Sequence, residues 1–267
     1  MLRRDGMKPK FWILIAGFAR NFELTIPSLL QRSVLPLKNS GNFAGLTVHL
    51  AERSPIAREF VELQVRSILG TGAALDFRTE AEASVVEAIE SLYKKVASRG
   101  NIYALHRPEA LHRAVFFLEL LNRAGVALKG QGLPLVFLRA DLFQRHDADL
   151  ATHYFRAPSA VNVPGWHNWR GINDRVAIIP PGITGAYLGR VTGLESYVRT
   201  KGIFHPEAFL AHSLRDVPIA RSIRSEFFRT RYGGRILDED FHAEPSLLSV
   251  FGHHMLTRAT SRWWRSR

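Results

Sequence analysis

"FWILIAGFARNFELTIPSL" (residues 11–29) decides how the chain is read. Phe11–Ala16 is short, continuously apolar and stopped by Gly17, the pattern of a strand buried on both faces. Arg20 and Asn21 make a polar hinge. The spacing then predicts a helix over Phe22–Leu35, with Pro27 near its start. The basic segment "RRDGMKPK" (residues 3–10) ahead of an apolar run mimics a signal peptide. That run is short, carries no A-x-A site and leads directly into Arg20-Asn21, so the strand is the preferred reading.

The same alternation continues downstream. Strands are expected at Leu46–Ala51, Ala74–Phe77, Leu135–Leu138 and Val176–Ile179. A helix capped by Ser54, with Pro55 in its first position, runs to Leu69. Further helices are expected over Glu80–Ser98 and His106–Ala124, and short ones over Pro181–Gly189, Leu194–Thr200 and Pro206–Leu214. From about Val217 the chain is arginine-rich and less regular. Strands alternating with helices predict an α/β fold: a Rossmann-like mixed, mostly parallel sheet with helices on both faces, plus a basic C-terminal region. The expected organisation is a basic extension over 1–10, one domain over 11–235 and an appendage with a basic aromatic tail over 236–267.

With 267 residues, 46% of them hydrophobic, the chain can build a sizeable core unaided. It has no cysteine, which excludes disulfides, thiolate metal sites and a cysteine nucleophile. No apolar stretch approaches the ~20 residues needed to span a membrane. Thirty-six Lys and Arg against 24 Asp and Glu give a net charge of +12. A surface of that sign attracts nucleic acid, anionic lipid or phosphate-bearing substrates, or serves solubility alone.

Ligands of such sheets sit beyond the carboxyl ends of the strands. Two stretches fall there. In "GFARNF" (17–22) Gly17 permits close approach and Arg20 can fork a phosphate at a helix N-terminus; a plain strand–helix turn reads equally well. In "LPLVFLRADLF" (133–143) Arg139 and Asp141, two apart, share one side of the sheet. Asp141 can hold a metal or a sugar hydroxyl, or the two can simply pair with each other. Asp147 and Asp149 form a D-x-D in a polar run and suit a solvated loop or a helix cap. Asp238, Asp240, His242 and Glu244 can ligate a metal or neutralise nearby arginines. "FFRTRYGGRI" (227–236) is a candidate clamp for phosphate, RNA or lipid, and Trp263-Trp264 between arginines suits a membrane interface or packing on the domain. "WHNWRGINDRVAI" (166–178) offers Trp166 and Trp169 as platforms for sugar rings, Asn173 for hydroxyls and Asp174 as a general base; a rigid, tryptophan-anchored turn is the alternative.

In order, these motifs resemble a group of bacterial and phage glycosyltransferase-like proteins. Its motifs are a G-x-x-R-x-F near the start, an R-x-D after the central strand, a G-x-N-D-[RQ]-[FV]-A block and a P-E-x-x-L helix. They fall here on Gly17, Arg20 and Phe22; on Arg139 and Asp141; on Gly171, Asn173, Asp174 and Arg175; and on Pro206 and Glu207. The resemblance spans about residues 11–235. It implies a GT-A-like nucleotide-diphospho-sugar transferase fold and transfer of a sugar to an acceptor hydroxyl in surface polysaccharide or glycoconjugate synthesis. Gly17, Arg20, Asn21, Arg139, Arg229 and Arg231 are then expected at the donor, and Trp166, Trp169, Asn173 and Arg175 at the sugar and acceptor. Asp141, Asp174 and Glu207 are expected in catalysis. The implied partners are a nucleotide-diphosphate sugar and a glycan or lipid-linked acceptor, and the implied location is cytoplasmic, or peripheral to the inner face of the plasma membrane. The chain departs from the pattern by placing Arg then Asp where GT-A enzymes carry two aspartates. Mn²⁺ or Mg²⁺ on Asp141 is therefore in question. The alternative function is a non-catalytic basic protein that binds nucleic acid or an anionic membrane surface.

Overall fold

The computed structural model describes residues 9–19, 21–52, 57–99, 108–168, 171–201, 204–237 and 241. Arg20, Trp169, Ser54, Pro55, the acidic residues at 238, 240, 242 and 244, and the tryptophans at 263 and 264 lie outside them.

Seven strands form one sheet: β1 (Phe11–Phe18), β2 (Phe43–Glu52), β3 (Leu75–Ala81), β4 (Leu135–Arg139), β6 (Val161–Pro164), β7 (Val176–Ile179) and β8 (Ile219–Ile223), in the spatial order β3-β2-β1-β4-β7-β6-β8. β1 pairs in parallel with β2 and β4, and β2 with β3. β7 runs antiparallel to both β4 and β6, while β6 and β8 are parallel, so β7 alone of these strands is reversed. A two-stranded antiparallel ribbon of β5 (Leu142–Phe143) and β9 (Phe228–Arg229) stands beside the sheet. The expected mixed, mostly parallel α/β sheet is what forms.

Both faces are covered, because the central strands carry apolar residues without interruption. On one face Ile13, Ile15, Val48, Val136 and Leu138 pack under α1 (Phe22–Leu29) and α3 (Ala57–Leu69). On the other, Leu14, Ala16 and Phe137 meet α5 (Pro108–Ala127), α7 (Thr184–Leu188) and α9 (Pro206–Ser213). α5 is buried around much of its circumference, since its remaining apolar residues meet α4 (Glu82–Arg99) and α8 (Leu194–Lys201). Burying it stabilises the fold by roughly 25 cal/mol per Å² of apolar surface.

The expected helix over Phe22–Leu35 is longer than its sequence pattern. It passes through a π turn, Leu30–Val34, into α2 (Leu35–Asn39). Pro36 lies at the start of α2, and the wider turn ahead of it lets the chain pass a residue that has no amide donor. The helix at 108 also runs through Gly125 instead of stopping there. A Cβ at Gly125 would come 2.9 Å from Cβ of Leu188, so the glycine marks a close helix crossing and not a terminus. Elements the sequence pattern did not announce are β5, β6, β8, β9 and α6 (Leu150–Arg156). Asp149 caps α6 by accepting from the Thr152 amide at 3.1 Å, and Asp147 pairs with Arg32 at 3.1 Å. The local D-x-D is thus a cap and a surface ion pair.

Candidate active site

β1 and β4 end side by side, and the chain is drawn tight there. Gly17 adopts φ +152°, and a Cβ on it would come 3.2 Å from Cβ of Ala140. Only glycine combines that backbone with that contact. The Ala140 amide donates to the Ala16 carbonyl at 2.9 Å, and the Thr25 hydroxyl donates to the Ala140 carbonyl at 2.7 Å. Arg139, the last residue of β4, shares a face with Phe137, and its guanidinium lies 5.1 Å over the Phe117 ring of α5.

Arg139 joins two carboxylates. Its Nε and Nη2 donate to the two oxygens of Asp141 at 3.0 and 2.8 Å, a bidentate fork, and its Nη1 donates to Asp174 Oδ1 at 3.2 Å. The reversed β7 makes this possible. Because it is antiparallel to β4, its leading residues arrive at the end where β4 leaves, and the Arg139 amide donates to the Arg175 carbonyl at 3.0 Å. Burial opposes the Arg139 charge, but Asp141, Asp174 and Glu207 outweigh it and hold the guanidinium above its ordinary value. Burial likewise opposes the Asp141 charge, and Arg139, with help from Arg175 and Arg229, holds that carboxyl below the usual range.

Glu207 comes from the first turn of α9. The Ile172 amide donates to its carbonyl at 3.1 Å, so the segment ahead of Asp174 is laced onto that turn. His205 precedes α9, and its Nδ1 stands 3.0 Å from Glu207 Oε2. The sequence reading passed over this histidine, although it abuts the Pro206-Glu207 motif. Beneath the carboxylates are two further groups it did not single out. Arg190 stacks 5.0 Å over the Tyr187 ring; burial pushes the Arg190 guanidinium down and the Tyr187 phenol up.

The remaining expected residues take other places. Asn21 has a left-handed backbone, φ 52°, and its amide clasps the C-terminal loop: Nδ2 donates to the Arg231 carbonyl at 2.7 Å and Oδ1 accepts from the Gly234 amide at 3.0 Å. The clasp draws Arg231 to the end of β1. Thr230 donates through its amide (2.9 Å) to the Asp141 carbonyl, which sets β9 and Arg229 beside Asp141. Asn173 is 1% exposed; its Nδ2 donates to the Trp166 carbonyl and its Oδ1 accepts from the Arg175 amide, both at 2.9 Å. Trp166 is buried against Phe241, with the Arg175 guanidinium 5.3 Å over its ring. These three build the turn that presents Asp174. Gly17, Arg139, Asp141, Asp174, Glu207, Arg229 and Arg231 thus gather at one end of the sheet, whereas Asn173, Trp166 and Arg175 support it from behind.

In this arrangement Arg139 takes the oxygens that Asp141 would offer a divalent cation. Hard cations take six or more oxygens, yet both oxygens of Asp141 are engaged by Arg139, and among the described residues no cluster of three acidic, histidine or cysteine side chains can hold a metal. A separate cavity of about 350 Å³, lined by Trp12, Asn122, Lys129 and Thr184, opens where β1 and β4 begin, away from this cluster. Among the described residues no helix is long and apolar enough to cross a membrane.

No family model matches the chain, and no curated protein matches it in sequence. Solved structures give distant likenesses. The apo form of mouse xyloside xylosyltransferase 1 is 10% identical, covering 78% of this chain and 82% of that one with a TM-score of 0.44. The apo glycosyltransferase GlyE of Streptococcus pneumoniae TIGR4 is 13% identical, covering 79% of this chain and 44% of that one with a TM-score of 0.41.

Proposed function

We propose that the chain is a glycosyltransferase of hexosyltransferase type, moving a sugar from a nucleotide-diphosphate sugar to an acceptor hydroxyl in surface polysaccharide or glycoconjugate synthesis. The observation that carries this reading is the meeting of Asp141 and Asp174 on the single guanidinium of Arg139 at the carboxyl ends of β1 and β4. Ligands of open α/β sheets bind at that end. The two carboxylates come from the two motifs, R-x-D and G-x-N-D, that the resemblance places at the donor and the acceptor.

In this reading the diphosphate lies against the positive charge beside Asp141, to which Arg229 on β9 contributes, with Arg231 of the clasped loop closing over it and Gly17 leaving room. Fixed cations of this kind stabilise a departing diphosphate by charge that needs no reorganisation. No step passes through a metal. Asp174 keeps one oxygen on Arg139 and faces the sugar or acceptor with the other.

The test is thermal stability of the purified chain against UDP-, GDP-, CMP- and dTDP-sugars, with Mn²⁺ and with EDTA. A ligand bound only by the folded state raises stability by mass action, about 2.7 kcal/mol at a hundred times its Kd. A shift with one nucleotide class, lost in Asp174→Asn or Arg229→Ala, is the expected result. No shift with any of them, alongside salt-sensitive binding of RNA or anionic vesicles, replaces this reading with the basic binding protein that the +12 charge also allows.

A further inference from the structure

The carboxylates that converge on Arg139 are already engaged by it. Both oxygens of Asp141 and one of Asp174 accept from the guanidinium, and Asp141 is held ionised. An acceptor hydroxyl nevertheless has to give up its proton as it attacks. We propose that His205 takes that proton and that Glu207 orients its ring. The proposal rests on the transferase reading and assigns a residue that the sequence motifs leave out.

Four observations carry it. The first is the backbone: His205 holds the N-cap position of α9 in an extended conformation, φ −135° and ψ 123°, yet its side chain caps nothing. The second is the ring, which turns to Glu207 instead, with Nδ1 enclosed and 3.0 Å from Oε2 in a contact too bent to be a full hydrogen bond. In the proposed role that carboxylate draws the ring proton to Nδ1 and leaves the Nε2 lone pair for the acceptor. The third is access: the His205 side chain keeps 26% of its surface, and Nδ1, not Nε2, is its enclosed nitrogen. The fourth is location. The carbonyl of Glu207 is bonded to Ile172, two residues before Asp174, and the Glu207 carboxylate is among the charges that act on Arg139.

The step balances without another reactant. The acceptor O–H proton passes to His205 Nε2, and the acceptor oxygen forms its bond to the anomeric carbon. The bond from that carbon to the diphosphate oxygen breaks, and its electron pair leaves with the diphosphate. His205 then carries a positive charge beside Glu207, which stabilises it.

The experiment measures nucleotide diphosphate release from UDP-glucose, UDP-galactose, GDP-mannose and dTDP-glucose, with water standing in for the acceptor, together with the thermal shift each donor produces. In His205→Gln the donor's thermal shift is expected to persist while release slows about a hundredfold or more, the usual scale of general-base catalysis. Imidazole added to His205→Ala is expected to restore part of the rate, which a merely structural role does not allow. Glu207→Gln is expected to lose less than His205→Gln. Release by His205→Gln at the wild-type rate overturns the proposal and leaves the transferase reading intact. Loss of the thermal shift together with the rate, without imidazole rescue, assigns His205 to structure and also overturns it. A wild-type chain that neither binds nor cleaves any donor removes both readings at once.

Discussion

Gly171 runs so close to Glu207 that a β-carbon on it would stand 2.1 Å from the Glu207 carbonyl carbon and carbonyl oxygen. The obstacle is backbone, which cannot rotate aside. Gly171→Ala is therefore expected to push α9 away from the segment leading to Asp174 and to destabilise by roughly 1–3 kcal/mol or more, the range for forced overpacking. Urea denaturation should show a lower midpoint at unchanged slope. Gly185→Ala, inside α7 with open space at its Cβ, should instead be neutral or stabilising by about 0.5 kcal/mol.

Arg139 is the common partner of two carboxylates, so Arg139→Met leaves two negative charges facing each other. A loss of roughly 3 kcal/mol is expected, the lower end for breaking a buried pair. Arg139→Lys should recover only part of it, because an ammonium cannot reproduce the bidentate fork on Asp141. Equilibrium unfolding of the two variants separates these outcomes.

Acid should act through Asp141. Its carboxyl is held below the ordinary range in the folded chain, whereas the unfolded chain binds that proton near about pH 4. The unfolded state thus binds more protons in that window. The contribution is fully present above about pH 4 and is lost as pH falls through the folded value. In Asp141→Asn the acid limb of stability should be flatter than in the wild type, measured as urea midpoints at successive pH values.

Asn21 combines a left-handed backbone with two hydrogen bonds to residues more than two hundred positions away. Asn21→Gly keeps the backbone and loses the clasp; Asn21→Ala loses both. Alanine should therefore cost more than glycine, by about 1 kcal/mol for the strained backbone. Amide exchange at Gly234 should quicken in both variants, since its N–H donates to the Asn21 side chain.

Nucleotide affinity should be the same in EDTA as in Mn²⁺, because Arg139 already engages both oxygens of the one R-x-D carboxylate. Calorimetric titration of the nucleotide that shifts thermal stability checks this. An affinity that collapses on chelation would mean that Arg139 lets go of Asp141 when donor binds.

Much of this was legible in the sequence, and what was not has physical reasons. The long buried strands at 11, 46 and 135 and the helices between them follow from apolar runs and helical spacing. The short strands were hidden: Val161–Pro164 carries an asparagine and a proline, and Ile219–Ile223 alternates poorly. They exist because neighbours supply pairing and cover. Arg139 and Asp141 could be placed together from their spacing. Asp174 could not, since its arrival depends on the direction of β7, and the sequence of a four-residue strand does not encode direction. Trp166 and Asn173 looked like ligand contacts because they are polar or aromatic; in the fold they are consumed by the turn's own backbone and packing.

The reversed strand has one more consequence. Asp174 and Arg175 are adjacent and lie just ahead of it, where the chain bends and sends them apart: the aspartate to Arg139, the arginine to Trp166 and Phe227. A slip of one residue in the pairing of β7 with β4 would move that bend and carry both side chains off these partners. It would take the Asp174 carboxylate away from Arg139 while leaving every residue of the chain unchanged. Single-residue insertions or deletions between Trp166 and Val176 should then disrupt the site even where they leave Gly171 and Asp174 themselves in place. The length of that segment is itself a functional property of the protein.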